Sequence, residues 1–262
     1  MDATAQAQPN IALVKYWGKR DTALNLPATG SLSITLASLW TRTRVDFDAA
    51  LKCDELLLNG ATHPAALARV SACLDLLRTR AGIDRRARVD THNNFPTAAG
   101  LASSASGFAA LVLAASSALG LPPDRRTLSM MARRGSGSAA RSLFGGFVSM
   151  AAGRREDGED ACAEPLLAAA QWPLTVVIAV TSRHAKAIGS GAGMESSRRT
   201  SPFYAAWVAG AGDDLAAARA AVLARDFAAL AAISEHNCLK MHVVMLASRR
   251  SVSCSKPVGK SA

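Results

Sequence analysis

Aromatic side chains make up only 5% of the 262 residues, and there are five cysteines. Those five, Cys53, Cys73, Cys162, Cys238 and Cys254, are odd in number, far apart and without a CxxC pair. That pattern excludes the spacing of a zinc cluster or a disulfide framework and makes the cytoplasm the expected compartment. Acidic residues are also short: 20 Asp and Glu face 30 Lys and Arg, for a net charge of +10, so an anionic partner is expected. The arginine doublets Arg85-Arg86, Arg125-Arg126, Arg133-Arg134, Arg154-Arg155 and Arg198-Arg199 have no stacking residues among them, which argues against single-stranded nucleic acid. Long apolar runs are missing as well. The one uncharged stretch near membrane-spanning length, Leu101 to Leu121, is rich in serine and glycine and reads as a buried helix. The N-terminus has neither the basic start nor the apolar stretch of a secretory leader.

What remains is a half-hydrophobic chain, long enough for a substantial core or for two lobes sharing a cleft. Asn10 to Val14 is a short apolar segment. Ser31 to Leu39 and Thr41 to Phe47 alternate polar and apolar residues, which predicts adjacent strands with one wet face. Leu67, Val70, Leu74 and Leu77 recur at helical spacing from Pro64 to Arg80, with Gly82 as terminator. ARVDTHN is another strand candidate. A helix restarts after Pro122-Pro123-Asp124 and runs through Arg134. Gly153 to Glu164 is a solvated turn and a candidate lobe boundary. Pro173 to Ser182 is a continuous β-branched run, expected to be a buried strand, and Asp213 to Ser234 predicts one or two amphipathic helices. From Ser248 onward the chain carries four basic residues, no acidic ones and no hydrophobic periodicity; it is expected to be disordered.

Three Gly/Ser-rich stretches draw the chemistry together. NNFPTAAGLASSASG, Asn93 to Gly107, leads directly into an alanine-rich run. Pro96 favours an extended entry and Gly100 permits a tight turn. Ser103 and Ser104 fall where a helix presents unpaired N–H groups and the positive end of its dipole, a natural phosphate site. A serine-capped helix start is the alternative for this stretch taken alone. SGSAAR, Ser136 to Arg141, adds two hydroxyls and a guanidinium suited to a carboxylate or phosphate; a glycine-rich turn with a surface arginine is the alternative there. KYWGKR, from Lys15, sets two lysines and an arginine around a tyrosine and a tryptophan. Ile188 to Pro202 reads as a third Gly/Ser loop. His236 and His242 lack metalloprotease spacing and read as structural. Together the stretches describe a site for a multiply phosphorylated ligand.

At this point four motifs carry a resemblance: NIALVKYWGKRD, NNFPTAAGLASSASGFAAL, RRGSGSAARSLFGGFV, and GSGAGM with TSPFY. In order and separation the chain resembles the diphosphomevalonate decarboxylases of the GHMP kinase superfamily, from about Pro9 to Ala247. The resemblance implies an α+β, GHMP kinase-like two-lobed fold with a left-handed βαβ unit. The N-terminal lobe, residues 1–160, would be like domain 2 of ribosomal protein S5. A ferredoxin-like C-terminal lobe, expected to be incomplete, would occupy 161–247, and a basic tail 248–262. The implied activity is ATP-dependent decarboxylation of mevalonate 5-diphosphate to isopentenyl diphosphate, with ATP and Mg2+ as cofactors. The expected enzyme is a cytoplasmic homodimer without nucleic-acid or membrane partners.

Carried onto matching positions, the resemblance implies a substrate site of Tyr16, Trp17, Gly18, Lys19, Arg69, Ser136, Gly137, Ser138, Ala139, Ala140, Arg141 and Ser190. Arg141 would take the carboxylate, Lys15 would lie near the reacting end, and Ser190 would bind the diphosphate. Pro96, Ala99, Gly100, Leu101, Ala102, Ser103 and Ser104 would hold ATP, with Ser104 nearest the transferring phosphoryl group and its magnesium. The family's C-terminal aspartate, in a DAGPN-like segment, has no counterpart in this sequence, so the chain is expected to be incomplete there and its turnover impaired. Two other readings stay open: a kinase that phosphorylates without decarboxylating, and a basic module that binds nucleic acid.

Overall fold

The structure is a computed structural model that describes residues 1–96, 101–122, 124–179 and 188–249. Its first half is mostly strand: β1 (Asp2–Ala7), β2 (Asn10–Val14), β3 (Lys19–Asp21), β4 (Leu26–Pro27), β5 (Ser31–Thr35), β6 (Thr41–Asp48), β7 (Glu55–Leu58), β8 (Ala61–Thr62) and β9 (Arg86–Asn93), with α1 (Pro64–Ala81) between the last two. Then follow α2 (Ser103–Ala118), α3 (Arg125–Gly135), a 3-10 helix (Gly137–Leu143), β10 (Phe147–Met150) and β11 (Ala163–Leu167). Beyond a 3-10 turn at Ala169–Gln171 come α4 (Ser190–Thr200), α5 (Tyr204–Ala224) and α6 (Phe227–Leu246).

Two sheets organise these elements. One has the order β1-β6-β9-β7-β8 and the other β11-β10-β5-β2, while β3 and β4 pair separately. β7 and β9 run parallel with α1 between them, a βαβ unit inside an otherwise antiparallel sheet. β6 alternates buried and exposed residues along its length, so its sheet faces water on one side and helices on the other. Val45 and Phe47 of β6 and Val89 of β9 form one core with Val70, Leu74 and Leu77 of α1 and with α2. Alanine suits α2 because that helix packs against β1 and β6 on one flank and the 3-10 helix on another. Ala105, Ala109, Ala110, Ala114 and Ala115 are fully buried, and such small side chains let backbones approach closely. α1 ends at Gly82, whose φ of 67° is left-handed.

A second core joins Val14, Leu32, Ile34 and Phe147 of the β5 sheet to Ala218 and Val222 of α5 and Leu230 of α6. A third pins the β2–β3 connection to the C-terminal helices, with Trp17 among Met194, Trp207, Met241, Val244 and Met245. Both indoles find partners: Trp17 Nε1 donates to Ser197 Oγ at 3.0 Å, and Trp207 Nε1 donates to the Trp17 carbonyl at 2.8 Å. Buried tryptophan is stable only when its N–H is satisfied, so these two bonds fix where KYWGKR lies.

Three expectations need correction. β5 and β6 are not adjacent but lie in different sheets, and β5 has no wet face: Ser31, Leu32, Ser33 and Ile34 are all buried. Its polar side is covered by a guanidinium described below. The third Gly/Ser stretch is not a loop, since Ser190–Thr200 is helix α4. Its Met194 and Ser197 are tied into the tryptophan core, and that anchoring outweighs the poor helix propensity of glycine. Pro173 to Ala179 forms no strand, and Val176, Val177 and Ile178 are exposed. A β-branched run becomes a strand only where a neighbour completes its hydrogen-bond ladder, and among the described residues none pairs with it. The remainder of that stretch and the basic tail from Arg250 lie outside the described residues.

Candidate active site

The two serine-rich stretches meet. α2 begins at Ser103 after Ala102, whose φ of 55° is left-handed and whose side chain caps nothing. The start is therefore not serine-capped, and Ser103 and Ser104 sit inside the first turn. No acidic residue lies in that turn, so no side-chain charge there offsets the positive end of the helix dipole. Ser104 is exposed. Its Oγ is 3.4 Å from Ser136 Oγ, and Ser136 Oγ is 3.4 Å from Ser138 Oγ. Three hydroxyls from α2 and the 3-10 helix thus form one row.

β2 supplies the next wall. Asn10, at its start, donates from Nδ2 to the Ser138 carbonyl at 3.1 Å and to Ser142 Oγ at 2.7 Å. Lys15, just past its end, folds its ammonium back on the Ala12 carbonyl at 2.9 Å, and its backbone N–H donates to Asn237 Oδ1 at 2.8 Å. Tyr16 packs its phenol against Gly137, where a β-carbon would come within 2.5 Å of the hydroxyl. The Tyr16 hydroxyl is sealed from solvent and without a hydrogen-bond partner among the described residues. Burial pushes its pKa up to about 12, against the pull of Arg141 and Arg133, so it remains a neutral phenol. Gly18, with φ of 122°, is pressed against the Tyr204 hydroxyl, a conformation and a clearance open to glycine alone.

Arg141, in the same 3-10 helix as Ser138 and linked to it through Asn10, is 1% exposed. Nε donates to Ser33 Oγ at 3.0 Å, Nη1 to Ser31 Oγ at 2.6 Å, and Nη2 to Asn10 Oδ1 at 3.3 Å. Every one of these acceptors is neutral, and among the described residues no carboxylate forms an ion pair with it. Burial lowers its pKa to about 10, which still leaves it fully charged near neutrality. The arginine is therefore not on the surface, as the alternative reading of SGSAAR had it, but in the interior with its charge uncancelled.

A second basic group gathers at Lys19. An ideal β-carbon on Gly191, in the first turn of α4, would stand 4.0 Å from Lys19 Nζ, so exposed Ser190 begins a helix directed at that ammonium. Burial, and then the neighbouring Arg69, lower the pKa of Lys19, while Glu195 raises it. Arg69 donates from Nη2 to the Gly135 carbonyl at 2.7 Å and lies 4.9 Å over the Phe108 ring. Gly135 has no room for a side chain beside that ring.

Of the expected site residues, the structure brings together Ser104, Ser136 and Ser138, with Tyr16 against Gly137 and Arg141 joined to Ser138 through Asn10; Lys19 has Arg69 and the first turn of α4 beside it, while Lys15 and Gly18 meet Ala12, Asn237 and Tyr204 instead. Pro96 is exposed, and Leu101, Ala102 and Ser103 are partly buried around the start of α2; Ala99 and Gly100 lie outside the described residues. Ala139 and Ala140 have no accessible surface, and their side chains belong to the core. Trp17 likewise acts as an anchor. Sequence reasoning passed over Asn10, Ser31, Ser33 and Asn237. The polar alternation in β5 was the available signal for the two serines.

Comparison with known proteins bears on the same residues. Residues 7–163 match the diphosphomevalonate decarboxylase-like N-terminal domain, and 176–254 match the mevalonate 5-diphosphate decarboxylase C-terminal domain. The chain belongs to the diphosphomevalonate decarboxylase family. It is 42% identical to diphosphomevalonate decarboxylase mvd1 of Aspergillus fumigatus over 262 aligned residues, which cover 93% of this chain and 65% of that relative. It is 41% identical to diphosphomevalonate decarboxylase of Candida albicans, covering 93% and 72%. The fold aligns with mevalonate diphosphate decarboxylase from Enterococcus faecalis at a TM-score of 0.85 and 37% identity, over 98% of this chain and 78% of that one. A structure described as MDDEF in complex with MVAPP, AMPPCP and magnesium aligns at 0.88 with 38% identity, over 98% and 79%. The decarboxylase-family chain thus spans about two thirds of the length of the fungal relatives it matches. Among its described residues no helix is long and apolar enough to cross a membrane.

Proposed function

We propose that this chain binds mevalonate 5-diphosphate and ATP and serves their conversion to isopentenyl diphosphate, ADP, phosphate and carbon dioxide. The observation that carries the reading is Arg141, a buried guanidinium held by three neutral oxygens and the Met150 sulfur. Removing such a charge from water costs several kcal/mol, and a carboxylate arriving in the site offsets that cost with a charge-assisted hydrogen bond. Lys19, Arg69 and the start of α4 at Ser190 take the diphosphate.

The first turn of α2 fits a nucleotide's phosphates: it is uncapped, free of acidic side chains and lined by alanine and serine. ATP supplies the phosphoryl group that turns the tertiary hydroxyl into a leaving group. The Ser104 hydroxyl would be a ligand for magnesium carried on the nucleotide; among the described residues no cluster of three or more His, Cys, Asp or Glu side chains offers a separate cage. Ser104, Ser136 and Ser138 orient the reacting end, and Lys15 adds positive charge beside it. With Arg141 fixing the carboxylate, the breaking carbon–carbon bond is held in place. Positioning and charge neutralisation dominate such phosphoryl transfers.

Calorimetric titration of mevalonate 5-diphosphate into the purified chain tests this. Saturable binding that survives excess duplex DNA supports the reading. Displacement by DNA with a steep dependence on salt would instead favour the basic nucleic-acid module, and no binding at all would end the proposal. Lys19 adds a pH signature. Burial and Arg69 disfavour its cation, so it gives up its proton below the 10.5 of an ordinary lysine. Diphosphate affinity is expected to fall as pH rises through that lowered value, and Lys19→Arg to move the alkaline limb upward; titrations across the alkaline range check it.

A further inference from the structure

Arg141 sits in a seat that the sequence built from one strand. Ser31 and Ser33 stand two apart on β5, so their side chains leave the same face. Both are completely buried, and both hydroxyls accept from Arg141, at 2.6 Å and 3.0 Å. Their backbones cannot drift: β5 is paired on one side with β10, Ser31 opposite Met150 and Ser33 opposite Val148, and on the other with β2, Ser33 opposite Ala12. Leu32 and Ile34 point the opposite way, into the hydrophobic core. A strand interior with core on one face ordinarily favours apolar residues on its other buried face too, and here two hydroxyls replace them.

We propose that Ser31 and Ser33 are positioning residues that set the preference of this site for a carboxylate-bearing ligand. A hydroxyl oxygen satisfies a guanidinium N–H without cancelling its charge. Two of them on a rigid strand fix the plane of the guanidinium and leave its full positive charge for the ligand. An acidic residue at either place would satisfy the same donors but neutralise the charge, and an apolar residue would leave the donors unmet and the guanidinium free to turn. The inference rests on the reading that Arg141 receives the substrate carboxylate.

The test compares affinities for two ligands, mevalonate 5-diphosphate and isopentenyl diphosphate, which both carry the diphosphate while the second lacks the carboxylate and the tertiary hydroxyl; the shift between variants, with the hydroxyl common to all of them, reports the carboxylate. The unmodified chain is expected to favour the first. Ser31→Ala combined with Ser33→Ala is expected to cut that preference about tenfold, the equivalent of weakened hydrogen bonds to a charged group, while isopentenyl diphosphate binds as before. Ser33→Asp is expected to erase the preference, because the new carboxylate occupies Arg141. Binding of isopentenyl diphosphate also reports that each variant is folded; should the double variant fail that check, the single Ser31→Ala and Ser33→Ala chains are read the same way. A preference that survives both the alanine and the aspartate substitutions overturns the role of the serines alone. Equal binding of the two ligands by the unmodified chain overturns the carboxylate reading of Arg141, and the inference with it.

Discussion

Replacing Arg141 with glutamine is expected to weaken mevalonate 5-diphosphate binding by about 2–5 kcal/mol, roughly 30-fold to several thousand-fold, the range for truncating one member of a buried hydrogen-bonded charge pair. Isopentenyl diphosphate, which lacks the carboxylate, should lose far less. The size of the effect follows from the site's construction. Arg141 is 1% exposed and its acceptors are Ser31, Ser33, Asn10 and the Met150 sulfur, so among the described residues neither water nor a protein carboxylate competes for the charge. Coulomb attraction that is weak at a surface is several times stronger where solvent is excluded. Arg141→Lys separates charge from shape: the ammonium keeps the charge but lacks the planar fork, and should recover only part of the loss. Thermal melts of both variants distinguish loss of the ligand contact from loss of the fold. Full affinity in Arg141→Gln would remove the carboxylate from that end of the site.

Some of this was legible in the sequence and some was not, for identifiable reasons. α1 was readable because Leu67, Val70, Leu74 and Leu77 mark one buried stripe and Gly82 closes it in the left-handed conformation only glycine adopts freely. The helix starting at Ser103 was readable from the small residues that lead into it. β5 was misread because alternation reports polarity and not exposure: Ser31 and Ser33 look like a wet face, yet their water is replaced by Arg141. α4 was misread for the opposite reason. Its glycines and serines argue for a loop, and only Trp17, far away in sequence, shows why Ser197 and Met194 hold a helix there.

The stretch after Pro173 teaches the limit of hydropathy. Thr175, Val176, Val177 and Ile178 prefer an apolar, extended environment, but that preference becomes a strand only with a partner edge to pair with. In the structure the residues from Pro173 to Ala179 are without that partner among the described residues, and Val177 stays 88% exposed. Composition states what a segment would accept; pairing decides what it becomes. The same distinction separates the two halves of the proposed site: hydroxyls and cations that bind, and a group that moves the proton.

That second half sets the other large expectation. Turnover requires a group that accepts or orients the proton of the tertiary hydroxyl, and such a group is commonly worth about 10²–10⁴ in rate. The carboxylates beside Lys19 and Asn237 are already engaged. Glu195 is bound twice by Arg198, and Asp214 holds Asn237 Nδ2 at 2.7 Å and Lys240. Among the described residues none hydrogen-bonds to Ser104, Ser136, Ser138 or Arg141. ADP and carbon dioxide release by this chain are therefore expected to run about 10²–10⁴-fold slower than by the Aspergillus fumigatus relative assayed beside it, while mevalonate 5-diphosphate still binds. Measuring both products from one incubation separates the cases. ADP formed without carbon dioxide would move the reading to a kinase that stops at phosphorylation, and rates equal to the relative's would show that a proton acceptor is in place which these carboxylates do not provide.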